Sequence, residues 1–218
     1  MNKEWSELNK AMQMKLKKKD SYISGIETLY KLREQLMYEL DSFKTELSRN
    51  GFDSMPFINA NGYHSKNIAY SLWHIFRIED IVAHTLINSD EQVFFIGDYQ
   101  KRINSPIITT GNELLKHEIS EFSSQLNIDE LYNYIHDVKD STESIIADLS
   151  YNMMKYSISS ERRNALKASE CVSKNESAVW LIDYWCSKDI RGLIQMPFSR
   201  HWIMHTEAAI RIKNKIQK

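Results

Sequence analysis

Apolar residues recur along this chain at helical spacing almost throughout. Over residues 22–48, Ile26, Leu29, Leu36, Leu40, Phe43 and Leu47 return at intervals that keep them on one helix face, and Asn50-Gly51 reads as the closing signal. Residues 2–19 form a polar helical lead-in with Trp5, Leu8, Met12 and Leu16 on one side. Residues 66–88 are apolar around most of the helix circumference, which predicts a largely buried helix. Residues 128–149 carry the cleanest seam: Ile128, Leu131, Ile135, Val138, Thr142, Ile145 and Leu149. A last helix over 197–216 has the stripe Phe198, Trp202, Ala209, Ile212 and Ile216. Pro197 sits in its first turn, where no N–H partner is lost.

The remaining segments are shorter. Residues 51–65 read as a loop holding Pro56 and Gly62. Residues 89–111 read as irregular, with Gly97, Pro106 and Gly111, and a loop of that length often carries function. Short helices are expected at 112–125, 158–170 and 176–188. Together these elements predict an all-α single domain over 1–218. It is a four-helix bundle with extra short helices and a peripheral N-terminal helix over 1–20.

Composition narrows the function classes. Only 6 Gly and 3 Pro in 218 residues favour long helices over a strand-rich fold. Lys+Arg (28) and Asp+Glu (29) nearly balance, so there is no concentrated basic surface for nucleic acid. The short basic run from Lys15 to Lys19 reads as a solvated helix face. Cys171 and Cys186 form no metal or redox motif and are expected as buried free thiols. No segment resembles a signal peptide, and no run approaches the roughly 18 apolar residues of a membrane span. A cytoplasmic protein without membrane contact is the expectation.

The chemistry concentrates in the histidines. His201 and His205 are four residues apart on the last helix and fall on its apolar stripe, so both rings point inward. Two such imidazoles bind one metal ion or else are hydrogen-bonded core residues. His74, in Leu72-Trp73-His74-Ile75, is the best third ligand from a facing helix. His84 projects with Trp73, Arg77 and Asp80 on the polar side of that helix, where a surface pair with Asp80 accounts for it. His64 is in a loop, either a plain loop residue or a mobile pocket residue; His117 and His136 lie among charged neighbours and face solvent. Glu79 occupies a place on the stripe Ile68, Leu72, Ile75, Val82 and Leu86 where a hydrophobe is expected. It is either a salt-bridge partner of Arg77 or Arg200, or a carboxylate that orients a ligand or acts as general base. Asp183, among aromatics, is equally open between an architectural and a functional role.

Taken together, these residues resemble the DinB-like family of bacterial, damage-inducible and related four-helix-bundle proteins. The matching pieces are Leu72-Trp73-His74-Ile75 with Arg77-Ile78-Glu79-Asp80, Thr110-Gly111-Asn112, Asp183-Tyr184-Trp185, Pro197, Arg200-His201 and His205. They cover most of the chain from about residue 25 onward. The resemblance implies that His74, His201 and His205 bind one divalent ion, with an open coordination position facing a pocket, and that the chain forms homodimers. Some relatives are S-transferases using a low-molecular-weight thiol such as bacillithiol; others look like metal-dependent hydrolases or isomerases, and many have no known activity.

Three neutral imidazoles suit zinc or nickel. The expected function is therefore a metal-dependent enzyme acting on a small molecule, a thiol S-transferase or hydrolase, with a thiol as possible co-substrate. The alternative is a non-catalytic bundle with a structural or sensory metal, which would normally close its site with a fourth side chain. A family name transfers a site better than a reaction.

Overall fold

The computed structural model describes residues 2–218. Among these the structure is all-helical. The one extended pairing is an isolated bridge between Ser157 and Asp189. The helices are α1 (Lys3–Lys15), α2 (Tyr22–Glu46), α3 (Arg49–Asp53), α4 (Ile68–Asp80), α5 (Val93–Ile96), α6 (Tyr99–Ile103), α7 (His117–Gln125), α8 (Ile128–Ala147), α9 (Ser160–Ala168), α10 (Glu176–Cys186), α11 (Ile190–Gln195) and α12 (His201–Ile216). Several begin on a side chain that accepts an otherwise unpaired backbone N–H. Asn67 caps α4 through Tyr70 N at 2.8 Å, Asn127 caps α8 and Asp189 caps α11.

Four long helices pack in a cycle. α2 lies on α8, α8 on α4, α4 on α12, and α12 returns to α2. Every residue of α4 is buried, as its all-round apolar pattern predicts. Two apolar clusters meet along this helix. Ile75 and Phe76 belong to one, with Leu36, Leu40, Ile135 and Trp202. Ile78 belongs to the other, with Leu29, Ile145, Trp185 and Phe198. α1, expected at the periphery, lies along α2 and buries Trp5 and Met12, with Leu16 buried just beyond its end.

The structure revises several boundaries. α2 ends at Glu46, and Asn50-Gly51 lies within α3 instead of closing α2. Gly51 sits in a close approach: a Cβ there would lie 3.3 Å from Leu47 Cβ and 3.4 Å from Ile216 Cδ1. The 89–111 segment contains α5 and α6, and the helix expected at 112–125 begins only at His117. α4 continues as a π-helical stretch, Ile81–Asn88, and ends at Ser89 in the left-handed region (φ 62°). The last helix also opens with a π turn, Met196–Arg200, which contains Pro197, before α12 proper begins. Such turns recur at functional sites.

Candidate metal centre

His74, in the second turn of α4, and His201 and His205, at the start of α12, converge. One nitrogen from each ring lies within 4.8 Å of the others, and all three residues are buried. Ring centroids are 4.5 Å apart for His201 and His205, 4.8 Å for His74 and His205, and 5.0 Å for His74 and His201. The helical spacing of the α12 pair and the α4–α12 packing bring the set together.

His74 is oriented by the loop before α7. Its Nδ1 lies 2.7 Å from the carbonyl oxygen of Thr110. A carbonyl only accepts, so Nδ1 carries the hydrogen and Nε2 of the neutral ring keeps its lone pair. Tyr70, one turn earlier, stacks on the ring at 5.4 Å with planes 14° apart, and its hydroxyl donates to Gly111 O at 2.9 Å. The Thr110-Gly111 segment therefore fixes both the tautomer and the plane of His74. Burial pushes the His74 pKa down to about 4, against the opposing pull of the Thr110 hydrogen bond. Burial and the neighbouring imidazoles hold His201 and His205 well below the ordinary histidine value. All three rings are neutral at physiological pH, the state that ligates a metal.

The three histidines could hold a metal ion. Nδ1 of His201 and of His205 is buried with no hydrogen-bond partner. An unpaired buried polar atom costs about 1–3 kcal/mol. Three clustered neutral imidazoles with unmet polar atoms suit an ion better than one another. An adjoining cavity of about 220 Å³ reaches His74 and His201 and is walled by Ile78, Asn112, Trp180, Leu181, Tyr184, Trp185, Met196 and Pro197. A larger cavity, about 670 Å³, touches Tyr63 and His64 on the other side of α12. The Tyr63 ring packs 5.6 Å from that of His205 and 4.0 Å from that of His64. His64, expected as a plain loop residue or a mobile pocket residue, thus lies in the Gly62–Ser65 turn and lines a cavity.

Glu79 is committed elsewhere. Its Oε1 accepts from Arg33 Nη2 at 2.7 Å, and its Oε2 accepts from Arg33 Nη1 at 3.0 Å and Trp202 Nε1 at 2.7 Å. The partner is Arg33 of α2, neither Arg77 nor Arg200. Arg77 instead meets Asp80, Ile108 O and Cys171 Sγ. His84, expected at the surface, is buried, and so are Trp73, Arg77 and Asp80 beside it. The segment after α4 folds back over that face. His84 Nδ1 meets Asp90 Oδ1 at 2.7 Å, and Nε2 meets Ser141 Oγ at 3.1 Å. Asp183 is exposed and paired with Arg163, while its neighbours Tyr184 and Trp185 line the smaller cavity. His117 and His136 are exposed as expected, His136 beside Asp41 at 3.1 Å. Cys171 is buried and Cys186 half-buried, both free.

No family model matches this chain, and no curated protein matches it. Among the described residues no helix is long and apolar enough to cross a membrane.

Proposed function

We propose that His74, His201 and His205 hold one divalent metal ion, zinc or nickel, and that the protein is a metal-dependent enzyme acting on a small molecule. The class is thiol S-transferase or hydrolase, on a DinB-like four-helix bundle formed by α2, α4, α8 and α12. A cytoplasmic homodimer belongs to the same reading. The cycle of packing among those four helices supports the fold. The convergence of three buried neutral imidazoles, one with its tautomer set by Thr110, supports the site.

When bound, the ion would supply a Lewis acid that lowers the pKa of a thiol or water beside it. The chain's own contribution is positional. Thr110 and Tyr70 hold the His74 ring in one orientation, so its donor is set before a ligand arrives. The aromatic wall of the smaller cavity gives an apolar surround to the edge where His74 and His201 meet it. Glu79 holds no proton for the reaction, because both its oxygens are engaged by Arg33 and Trp202. The cavity at the His74 and His201 edge favours an open, catalytic site over a closed structural or sensory one.

The test compares protein stripped with a chelator against protein reloaded with zinc or nickel. Each is assayed for thiol transfer to a chromogenic aryl electrophile and for hydrolysis of a chromogenic ester. Turnover that appears only on reloading is the expected result. Stoichiometric metal without turnover in either assay would favour the structural or sensory alternative.

A further inference from the structure

The smaller cavity carries information on what the site accepts. Trp180, Tyr184 and Trp185 form its wall from one face of α10, and Ile78 and Leu181 complete its apolar lining. The Trp180 and Tyr184 rings meet edge to face at 5.5 Å, and Trp180 is held by a 2.9 Å hydrogen bond from its Nε1 to Ser177 O. Trp180 is nonetheless 49% exposed, an indole standing at the mouth with one side uncovered. Apart from the Tyr184 hydroxyl and the indole N–H groups, the polar side chains of the lining are His74, His201 and Asn112. Asn112 Oδ1 already accepts from Thr110 Oγ1 at 2.8 Å. No Lys, Arg, Asp or Glu lines the cavity. The nearby cations are turned to other tasks. Lys188 Nζ sits 4.0 Å over the Tyr184 ring, and Lys66 Nζ lies 4.9 Å from the Tyr70 ring centre, donating to Leu114 O.

We infer that this cavity takes an uncharged aromatic small molecule, its flat ring between Trp180, Tyr184 and Trp185 and its one polar group toward His74 and His201. The inference rests on the proposed metal-centre reading for what happens at that polar group, but not for the binding of the ring. Three features point to this class. Aromatic walls favour a flat ring by edge or stacking contacts beyond area burial alone. A charge placed against these rings, away from the metal position, would lose its hydration with no side-chain counter-charge to meet it. The volume, about 220 Å³, is below the roughly 300–1,000 Å³ typical of pockets for drug-sized ligands, so the occupant is a single-ring molecule.

The probes are benzyl alcohol, cyclohexylmethanol and benzoate, followed by saturation-transfer NMR and tryptophan emission on chelator-treated and on zinc-loaded protein. Benzyl alcohol is expected to bind both forms. In the chelated form cyclohexylmethanol, with the same number of non-hydrogen atoms but no flat face, should bind about fivefold weaker, and benzoate weaker still. Trp180→Ala should weaken benzyl alcohol by a similar factor and Trp180→Phe should largely restore it. Trp180 is half-exposed, so both variants are expected to fold, which circular dichroism checks. Equal affinity for the three probes, or no effect of Trp180→Ala, would overturn the inference. Zinc binding without ring selectivity would sink the aromatic pocket and leave the metal centre. Ring selectivity in a chain that takes up no zinc would do the reverse.

Discussion

Arg33 and Glu79 form a fully buried, two-pronged ion pair between α2 and α4, with Nη2 to Oε1 at 2.7 Å and Nη1 to Oε2 at 3.0 Å. Arg33 also reaches Glu143 of α8 through Nε at 2.9 Å and the Phe198 carbonyl at 3.2 Å, and its guanidinium lies 4.3 Å from the Trp202 ring centre. One side chain thus braces the helix cycle just beneath the α12 histidines. Removing it strands a carboxylate in the core. Arg33→Met should cost about 3–5 kcal/mol in denaturant unfolding, and Arg33→Met with Glu79→Met should recover most of that loss. If the double variant were no better than the single, the pair would not be the source of the cost.

Asp80 gathers a second buried network. Its carboxylate accepts from Tyr134 Oη at 2.8 Å, from Arg77 Nη1 at 3.3 Å, and from the backbone N–H groups of Val93 and Phe94. Tyr134→Phe removes one donor among four and should cost about 1–2 kcal/mol. Asp80→Leu leaves Arg77 buried without its counter-charge and strands the start of α5, so a loss of about 3–5 kcal/mol is expected. Urea titrations of the two variants check the order.

Gly111 links backbone conformation to the metal centre. Its φ of +75° is strained for a side chain, and a Cβ would come within 3.0 Å of Tyr70 Cε2. Gly111→Ala should cost about 1–2 kcal/mol in stability. It should also displace the Thr110 carbonyl that sets His74, lowering zinc affinity by about tenfold. Competition with a chromogenic chelator reads the second effect; unchanged affinity would mean that Thr110 does not position the ligand.

Acid should destabilise the metal-free protein. The His74 pKa is pushed down to about 4 by burial, and His201 and His205 move in the same direction. Bases depressed in the folded state contribute stability above their unfolded pKa, about 6.5, and that stability is lost as pH falls toward the folded values. His74 alone accounts for a loss on the order of 3 kcal/mol. Urea midpoints should therefore drop steadily below about pH 6.5, and a flat profile down to pH 5 would contradict neutral burial of the three rings.

Much of this was legible in the helical pattern. The i,i+4 spacing of His201 and His205 on an apolar stripe placed both rings inward, and the all-round apolar character of α4 placed His74 opposite them. Arg33 carries a signal in the sequence too. It stands between Leu29 and Leu36 at steps of four and three, on the stripe of α2. Glu79 similarly interrupts the stripe of α4. Opposite charges on two apolar stripes are a reason to expect a pair. His84 was misplaced because helix periodicity says nothing of a following segment that folds back. Asp90, just beyond the π-helical end that carries His84, and Ser141 of α8 meet its ring. Boundaries near Pro197 and Gly51 moved because a π turn and a close helix approach are tertiary choices with no local sequence code.

The central claim is that three imidazoles hold one ion. Metal content by mass spectrometry, on protein purified without a His-tag and beside a His205→Ala variant, addresses it directly. About one equivalent of zinc or nickel per chain, lost in the variant, is the predicted result. No metal in the wild-type protein, and no uptake when zinc and nickel are added back, would contradict it and leave the three histidines as packed residues of a helical core.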